Sequence, residues 1–200
     1  MKKILLVVLA MLFTAAAVVA QTTWIADKAH SKVSFSVSHM VIAEVAGRFQ
    51  DFDATLISSK DDFSDAQIDV RIKTGSIDTD NERRDKHLAS DDFLNAEKYP
   101  EITFKSTKIE KAGKDTYKIT GDLTIREITK PVVLDTKYNG QVTVGENTKA
   151  GFRATTTIDR FEFGTKWNKE IESVGLVAGK DVYITLLLEF NKQTADAKGK

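Results

Sequence analysis

Residues 27–49, DKAHSKVSFSVSHMVIAEVAGRF, decide how the chain is read. Val33, Phe35 and Val37 alternate with Ser34, Ser36 and Ser38. Side chains in a strand point to opposite faces in turn, so this segment predicts a strand with one dry face and one wet one. The dry row then reaches His39, a titratable group where another aliphatic is expected. Gly47 and Phe49 follow in a second long strand, Val45 to Ile57, and a glycine inside a strand signals a bend or bulge. A half-apolar strand that ends in a histidine beside a Gly-bent neighbour implies a sheet curling around its contents.

Before this stretch, Lys2 and Lys3 precede an apolar run from Ile4 to Val19 and a small-residue end at Ala20. That is the pattern of a secretory signal peptide spanning 1–20, cut after Ala20, rather than of a membrane span. The mature chain is expected to begin at Gln21 and to be soluble and outside the cytoplasm. Without Lys2 and Lys3 the 29 basic residues become 27 against 29 acidic ones, a formal charge of −2. The signs are interleaved with no basic stripe, which argues against a nucleic-acid partner. The chain has 0 cysteines, so it offers no disulfide, no thiol chemistry and no Cys-ligated metal. The fold therefore depends on its apolar core.

After the opening stretch, Ser58 to Asp65 reads as an acidic turn. Ala66, Ile68, Val70 and Ile72 alternate with Gln67, Asp69, Arg71 and Lys73, a clean amphipathic strand. Then the period changes. Asp80 can cap a helix carrying Glu82, Arg83, Arg84 and Lys86, whose charges read as a solvated face. Ser90 can cap a second short helix, Asp91 to Lys98, stopped by Tyr99-Pro100. Leu88, Phe93 and Leu94 are the apolar contacts of this insertion. Strands resume at Ile102 to Ile109, Thr116 to Arg126 and Val132 to Tyr138, and Asn139-Gly140 signals a hairpin. Lys149 to Asp159 and Val182 to Phe190 complete the set, separated by a long connection, Arg160 to Lys180. That connection serves either as a lid with Trp167 as cover or as a packed loop. About eight strands with one helical excursion predict an all-β sandwich or a closed antiparallel barrel.

The motifs add a resemblance. W-x2-D-x2-H-S-x-V-x-F-x-V-x-H-M (Trp24 to Met40) and V-x-G-x-F (Val45 to Phe49) are similar to the opening of the YceI-like family. S-I-D-T-x-N-x3-D-x-H-L (Ser76 to Leu88) and S-x-D-F-x-N-A-x-K-Y-P-x-I-T-F (Ser90 to Phe104) continue it. G-D-L-T-I (Gly121 to Ile125), T-K-P-V (Thr129 to Val132) and I-D-R-x-x-F-G (Ile158 to Gly164) complete it in order. Arg126-Glu127 departs from the glycine turn usual in the family and leaves the geometry there open. The resemblance implies a lipocalin-like antiparallel barrel over 21–191, with a flexible tail over 192–200. It also implies an interior tunnel for an isoprenoid lipid or quinone-like amphiphile.

On that reading the tunnel wall comprises Phe35, Val37, Ile68, Val70, Ile72, Phe104, Leu123, Ile125, Phe152, Ile158, Ile184, Leu186 and Leu188. His39, Arg160 and Trp167 sit at its polar end or cover. Each buried CH₂ is worth ~0.8 kcal/mol, so ten carbons supply about 8 kcal/mol, roughly micromolar binding without a charged anchor. No cofactor is expected. His30, His39 and His87, spaced by nine and forty-eight residues, match no metal signature. Asp27, His30 and Ser31 lie on one turn with no nucleophile elbow, so a binding protein is expected rather than an enzyme. An enzyme acting on such a lipid and an envelope-stress scaffold working through protein contacts stand as the alternatives. Self-association as a homodimer stays open.

Overall fold

The computed structural model describes residues 21–172 and 175–193. The expected signal segment and most of the expected tail lie outside the described residues. The strands are β1 (Thr22–Ala26), β2 (Lys32–His39), β3 (Ala43–Phe49), β4 (Phe52–Ser58), β5 (Gln67–Lys73) and β6 (Ile77–Asp78). After helix α1 (Glu82–Ala89) come β7 (Glu101–Gly113), β8 (Thr116–Ile125), β9 (Ile128–Val144) and β10 (Asn147–Asp159). A small ribbon of β11 (Glu170–Ile171) and β12 (Gly175–Leu176) precedes the last strand, β13 (Ala178–Lys192).

All strand pairs are antiparallel and the main sheet closes on itself. β13 pairs with β10 along one edge. Its other edge pairs with β2 and, further along, with β1. β1–β2, β3–β4 and β5–β6 therefore act as three long staves interrupted at 27–31, 50–51 and 74–76, and the ring has eight. Eight strands leave an interior just wide enough for packed side chains or one small ligand. The alternation of Val33, Phe35 and Val37 sets their register opposite Leu186, Ile184 and Val182.

Several local expectations fail for identifiable reasons. The Val45 to Ile57 segment is two strands, and its break falls at Gln50-Asp51. Gly47 stays within β3, opposite Phe35. Its missing side chain makes room: a Cβ there would lie 2.4 Å from Phe35 Cζ. Asn139-Gly140 is not a hairpin, because β9 runs straight through it. The register slips between Gly151 and Phe152, so Asn139 is the extra residue of a bulge, with Gly140 at φ 110°. Positive φ serves a bulge as well as a turn. Asn81, not Asp80, caps α1, its side chain accepting from Arg84 N–H. Residues 91–98 form successive turns, not a second helix. Within the supposed solvated face, Arg84 donates through Nε to Thr79 Oγ1 at 2.7 Å, and Asp85 accepts from the Thr79 N–H at 2.9 Å. Lys192, expected to open the tail, is paired with Trp24.

One end of the barrel is plugged. The Ser58–Asp65 turn folds inward and buries Phe63, at φ 57°. Its ring meets Trp24, Tyr138 and Phe152 edge-on at 5.3, 5.3 and 5.1 Å. The Tyr117 hydroxyl donates to Asp62 O at 2.5 Å and fastens the turn from below.

Candidate functional site

Above the plug the barrel encloses a cavity of about 310 Å³. That lies at the lower end of the ~300–1,000 Å³ typical of small-molecule sites. Its wall is built by inward alternation, as strand geometry requires. β2 contributes Phe35, Val37 and His39, and β5 contributes Val70 and Ile72. Phe104 comes from β7, Leu123 and Ile125 from β8, Ile158 from β10, and Ile184 and Leu186 from β13. Arg160 and Trp167 face it from the connection that follows β10.

Ile68, Phe152 and Leu188, read from sequence as tunnel wall, line instead a second chamber of about 50 Å³ nearer the plug. They share strand faces with the wall residues, and periodicity cannot tell depth along a barrel. The reading missed Val45 and Phe49 on β3 and Val132 and Leu134 on β9. Both pairs fall inside strands outlined from sequence, but that outline runs the first strand without a break into β4 and assigns neither pair to the wall.

The mouth is roofed. Phe93 and Trp167 lie 5.5 Å apart, and His87 meets both edge-on at 5.1 and 5.8 Å. The N–H groups of Lys166 and Trp167 donate to Asp92 O at 2.9 and 3.0 Å, and His87 Nε2 lies 2.9 Å from Asp92 Oδ2. Leu88 and Leu94 complete the roof lining. Arg126 and Glu127, at φ 53° and 61°, form the two-residue turn between β8 and β9. The buried Arg126 Nη1 donates to Asp91 O at 2.9 Å and Phe93 O at 2.5 Å, and Nη2 reaches Asp91 Oδ1 at 3.1 Å. The departure from a glycine turn thus supplies a clasp for the roof. Asp91 also binds Lys166 and Asn95, and these contacts, Lys166 first, bring its carboxyl down to about 2.

Arg160 is buried, and burial pushes its pKa below the ordinary guanidinium value. It forms no ion pair within 4.0 Å among the described residues. Instead Nε donates to Gly179 O at 2.9 Å, Nη2 to Ala178 O at 3.0 Å, and Nη1 to Trp167 O at 2.8 Å and Thr165 Oγ1 at 3.1 Å. The guanidinium ties the start of β13 to the roof loop, and the Phe161 ring centroid lies 4.1 Å from its centre. Four of its five N–H donors are thereby committed to the fold.

His30 lies outside the cavity. Its Nδ1 is 3.1 Å from Asp27 Oδ2, while Lys149 Nζ bridges Asp27 at 3.1 Å and Glu189 at 2.6 Å. The Ser31 hydroxyl donates to Glu189 O at 3.3 Å and accepts from its N–H at 3.0 Å, so Asp27, His30 and Ser31 do not form a relay. His30 first and Lys149 second hold the Asp27 carboxyl well below the usual carboxylate range. Asp27, His30 and Glu189 place ligand atoms within 4.8 Å of one another, but the Lys149 ammonium already bridges both carboxylates and offsets one of their two charges.

Among the described residues no helix is long and apolar enough to cross a membrane. A UPF0312 protein of Staphylococcus aureus strain USA300 is 34% identical over 175 residues, covering 85% of this chain and 98% of that protein. The crystal structure of a Campylobacter jejuni YCEI protein superposes with a TM-score of 0.68 at 33% identity, covering 78% and 90% of the two chains. A polyisoprenoid binding domain from Saccharophagus degradans, implicated in plant cell wall breakdown, shares the fold at a TM-score of 0.63 and 13% identity, covering 85% and 98%. The profile of the YceI-like domain matches residues 24–190, and the chain belongs to that family.

Proposed function

We propose that this protein binds an isoprenoid lipid or quinone-like amphiphile in the barrel and stores or carries it in the periplasm. The roofed cavity of about 310 Å³, walled almost entirely by aliphatic and phenyl groups, carries the proposal. Filling it with hydrocarbon is favourable by ~0.8 kcal/mol per buried CH₂. The polyisoprenoid-binding neighbour of the same fold supports the choice of ligand class. Binding rather than catalysis fits the polar groups at the mouth: Arg160, Arg84 and His87 are engaged by backbone, Thr79 and Asp92.

Native mass spectrometry after gentle purification tests the proposal. A copurifying hydrophobic molecule of defined mass is expected, and a barrel recovered empty that also refuses added prenyl quinone rules the proposal out. Phe35→Asp, which places a charge in the wall, removes ligand uptake while leaving the far-ultraviolet circular dichroism of the barrel in place. Fractionation of the producing cells, with sequencing of the mature N-terminus, tests the periplasmic part; a chain retained in the cytoplasm with residues 1–20 attached refutes it.

A further inference from the structure

The two chambers are separated by one layer of side chains. Val70, Phe104, Leu134 and Leu186, from four different strands, line both. Phe104 is the largest of them, and its position is fixed from behind. A Cβ built on Gly121 would lie 2.3 Å from Phe104 Cζ and 2.5 Å from Phe104 Cε2, so the ring lies flat over the glycine. Below this floor the barrel continues to the aromatic plug around Phe63, and the lower chamber of about 50 Å³ is walled off rather than filled.

The depth above the floor can be sized. From His39 to Val33 the β2 wall spans six residue steps, about 20 Å along the strand and about 15 Å along the axis of a tilted eight-stranded barrel. An extended chain advances about 1.2 Å per single bond, as the polypeptide does with three bonds per ~3.6 Å residue. The wall therefore accepts about twelve bonds, or three isoprene units. The roof formed by Phe93, Leu94 and Trp167 extends the apolar path by about one unit more.

Resting on the proposed lipid-binding function, we infer that Phe104 is a chain-length determinant: it floors the tunnel for prenyl tails of about 15 to 20 carbons. Removing the ring opens the way along Ile68, Leu188 and Phe152, two residue steps along β13 from Leu186 to Leu188, which adds about one isoprene unit. Sequence periodicity grouped Ile68, Phe152 and Leu188 with the upper wall; in this arrangement they are the reserve length of the same tunnel.

The test uses delipidated protein and prenyl alcohols of 10, 15, 20, 25, 30 and 40 carbons, read by native mass spectrometry and by displacement of a fluorescent fatty-acid probe. Affinity is expected to rise to 15–20 carbons and then fall at least tenfold at 25. In Phe104→Ala the break moves outward by about one unit. Leu186→Ala opens the same floor from the opposite wall and covers the case in which the phenylalanine variant does not fold. Affinity that keeps rising to 40 carbons in the unmodified protein overturns the inference, as does a break unmoved in both folded variants. Failure to bind at every length overturns the proposed function, and the floor with it.

Discussion

The Phe35 ring lies directly over the backbone of Gly47, its partner across the β2–β3 ladder, with no room for a methyl group between them. A Cβ at Gly47 would also come within 2.7 Å of Thr79 Cγ2, so the site is closed on two sides. Gly47→Ala must push the ring into the cavity that it now borders. The expected cost is about 1–3 kcal/mol of overpacking, with ligand affinity lowered at least tenfold. Thermal melts and probe titration check both numbers, and an alanine variant with unchanged affinity contradicts this account of the wall.

The hairpin between β2 and β3 carries the wrong residues for its geometry. In the three-residue connection, Met40 and Val41 sit at φ 50° and 65°, the central pair of a turn closed by the Ile42 N–H donating to His39 O at 3.3 Å; Asn-Gly adopts such a pair without strain, and Ile42 is 88% exposed. Replacing Met40-Val41 with Asn-Gly is expected to stabilise the protein by about 1 kcal/mol, which raises the melting temperature by about 2–4 °C in a chain of this size. Calorimetry decides it. A lower melting temperature shows that the exposed side chains make contacts worth more than the strain.

Asp65 fastens the turn that carries the plug. The Ser58 hydroxyl donates to it at 2.5 Å and the Ser59 N–H at 3.1 Å, bringing the carboxyl from 3.8 to about 2 against an opposing burial effect. The folded value is the lower one, so the contribution is complete above the unfolded value and is lost as the pH falls through about 2. Urea midpoints of the parent protein and Asp65→Asn should differ at pH 5 and converge by pH 2. A difference independent of pH excludes this role.

Arg126→Ala removes three hydrogen bonds that hold residues 91–93 over the mouth. Bonds to a charged donor carry more than neutral ones, and the expected loss is about 2–3 kcal/mol. Amide exchange at Phe93, Leu94 and Ala96 should accelerate more than in the plug around Phe63, and bound lipid should dissociate faster. Uniform acceleration across the barrel argues that Arg126 supports the whole fold rather than the roof.

The barrel itself was written in alternation: Val33, Phe35 and Val37 carry their register openly, as do Ile68, Val70 and Ile72. What periodicity could not supply was depth, so Phe152 and Leu188 looked equivalent to Ile158 and Ile184. Asn139-Gly140 misled because one backbone conformation serves two purposes, a turn or a bulge, and only pairing with Gly151 and Phe152 chooses between them. Phe63 was hidden in a run of Asp, Ser and Lys, where a single aromatic residue has no repeat to announce it. Arg160 follows an apolar strand, which put it at the polar end of the tunnel, either against a ligand oxygen or in a structural ion pair. Its real partners are the Thr165 hydroxyl and the carbonyl groups of Trp167, Ala178 and Gly179, which a linear reading cannot fold back onto it.

The last strand joins three others at once: β10 on one edge, β2 and β1 on the other. Trp24 waits for Lys192 and Val33 for Leu186, so the earliest strands lack one neighbour until nearly all of the chain has been synthesised. Such distant pairings make folding slow and leave unpaired edges in the meantime. A ribosome-bound fragment ending before Ala178 is an open sheet with two free edges, a substrate for chaperones rather than a partly formed container.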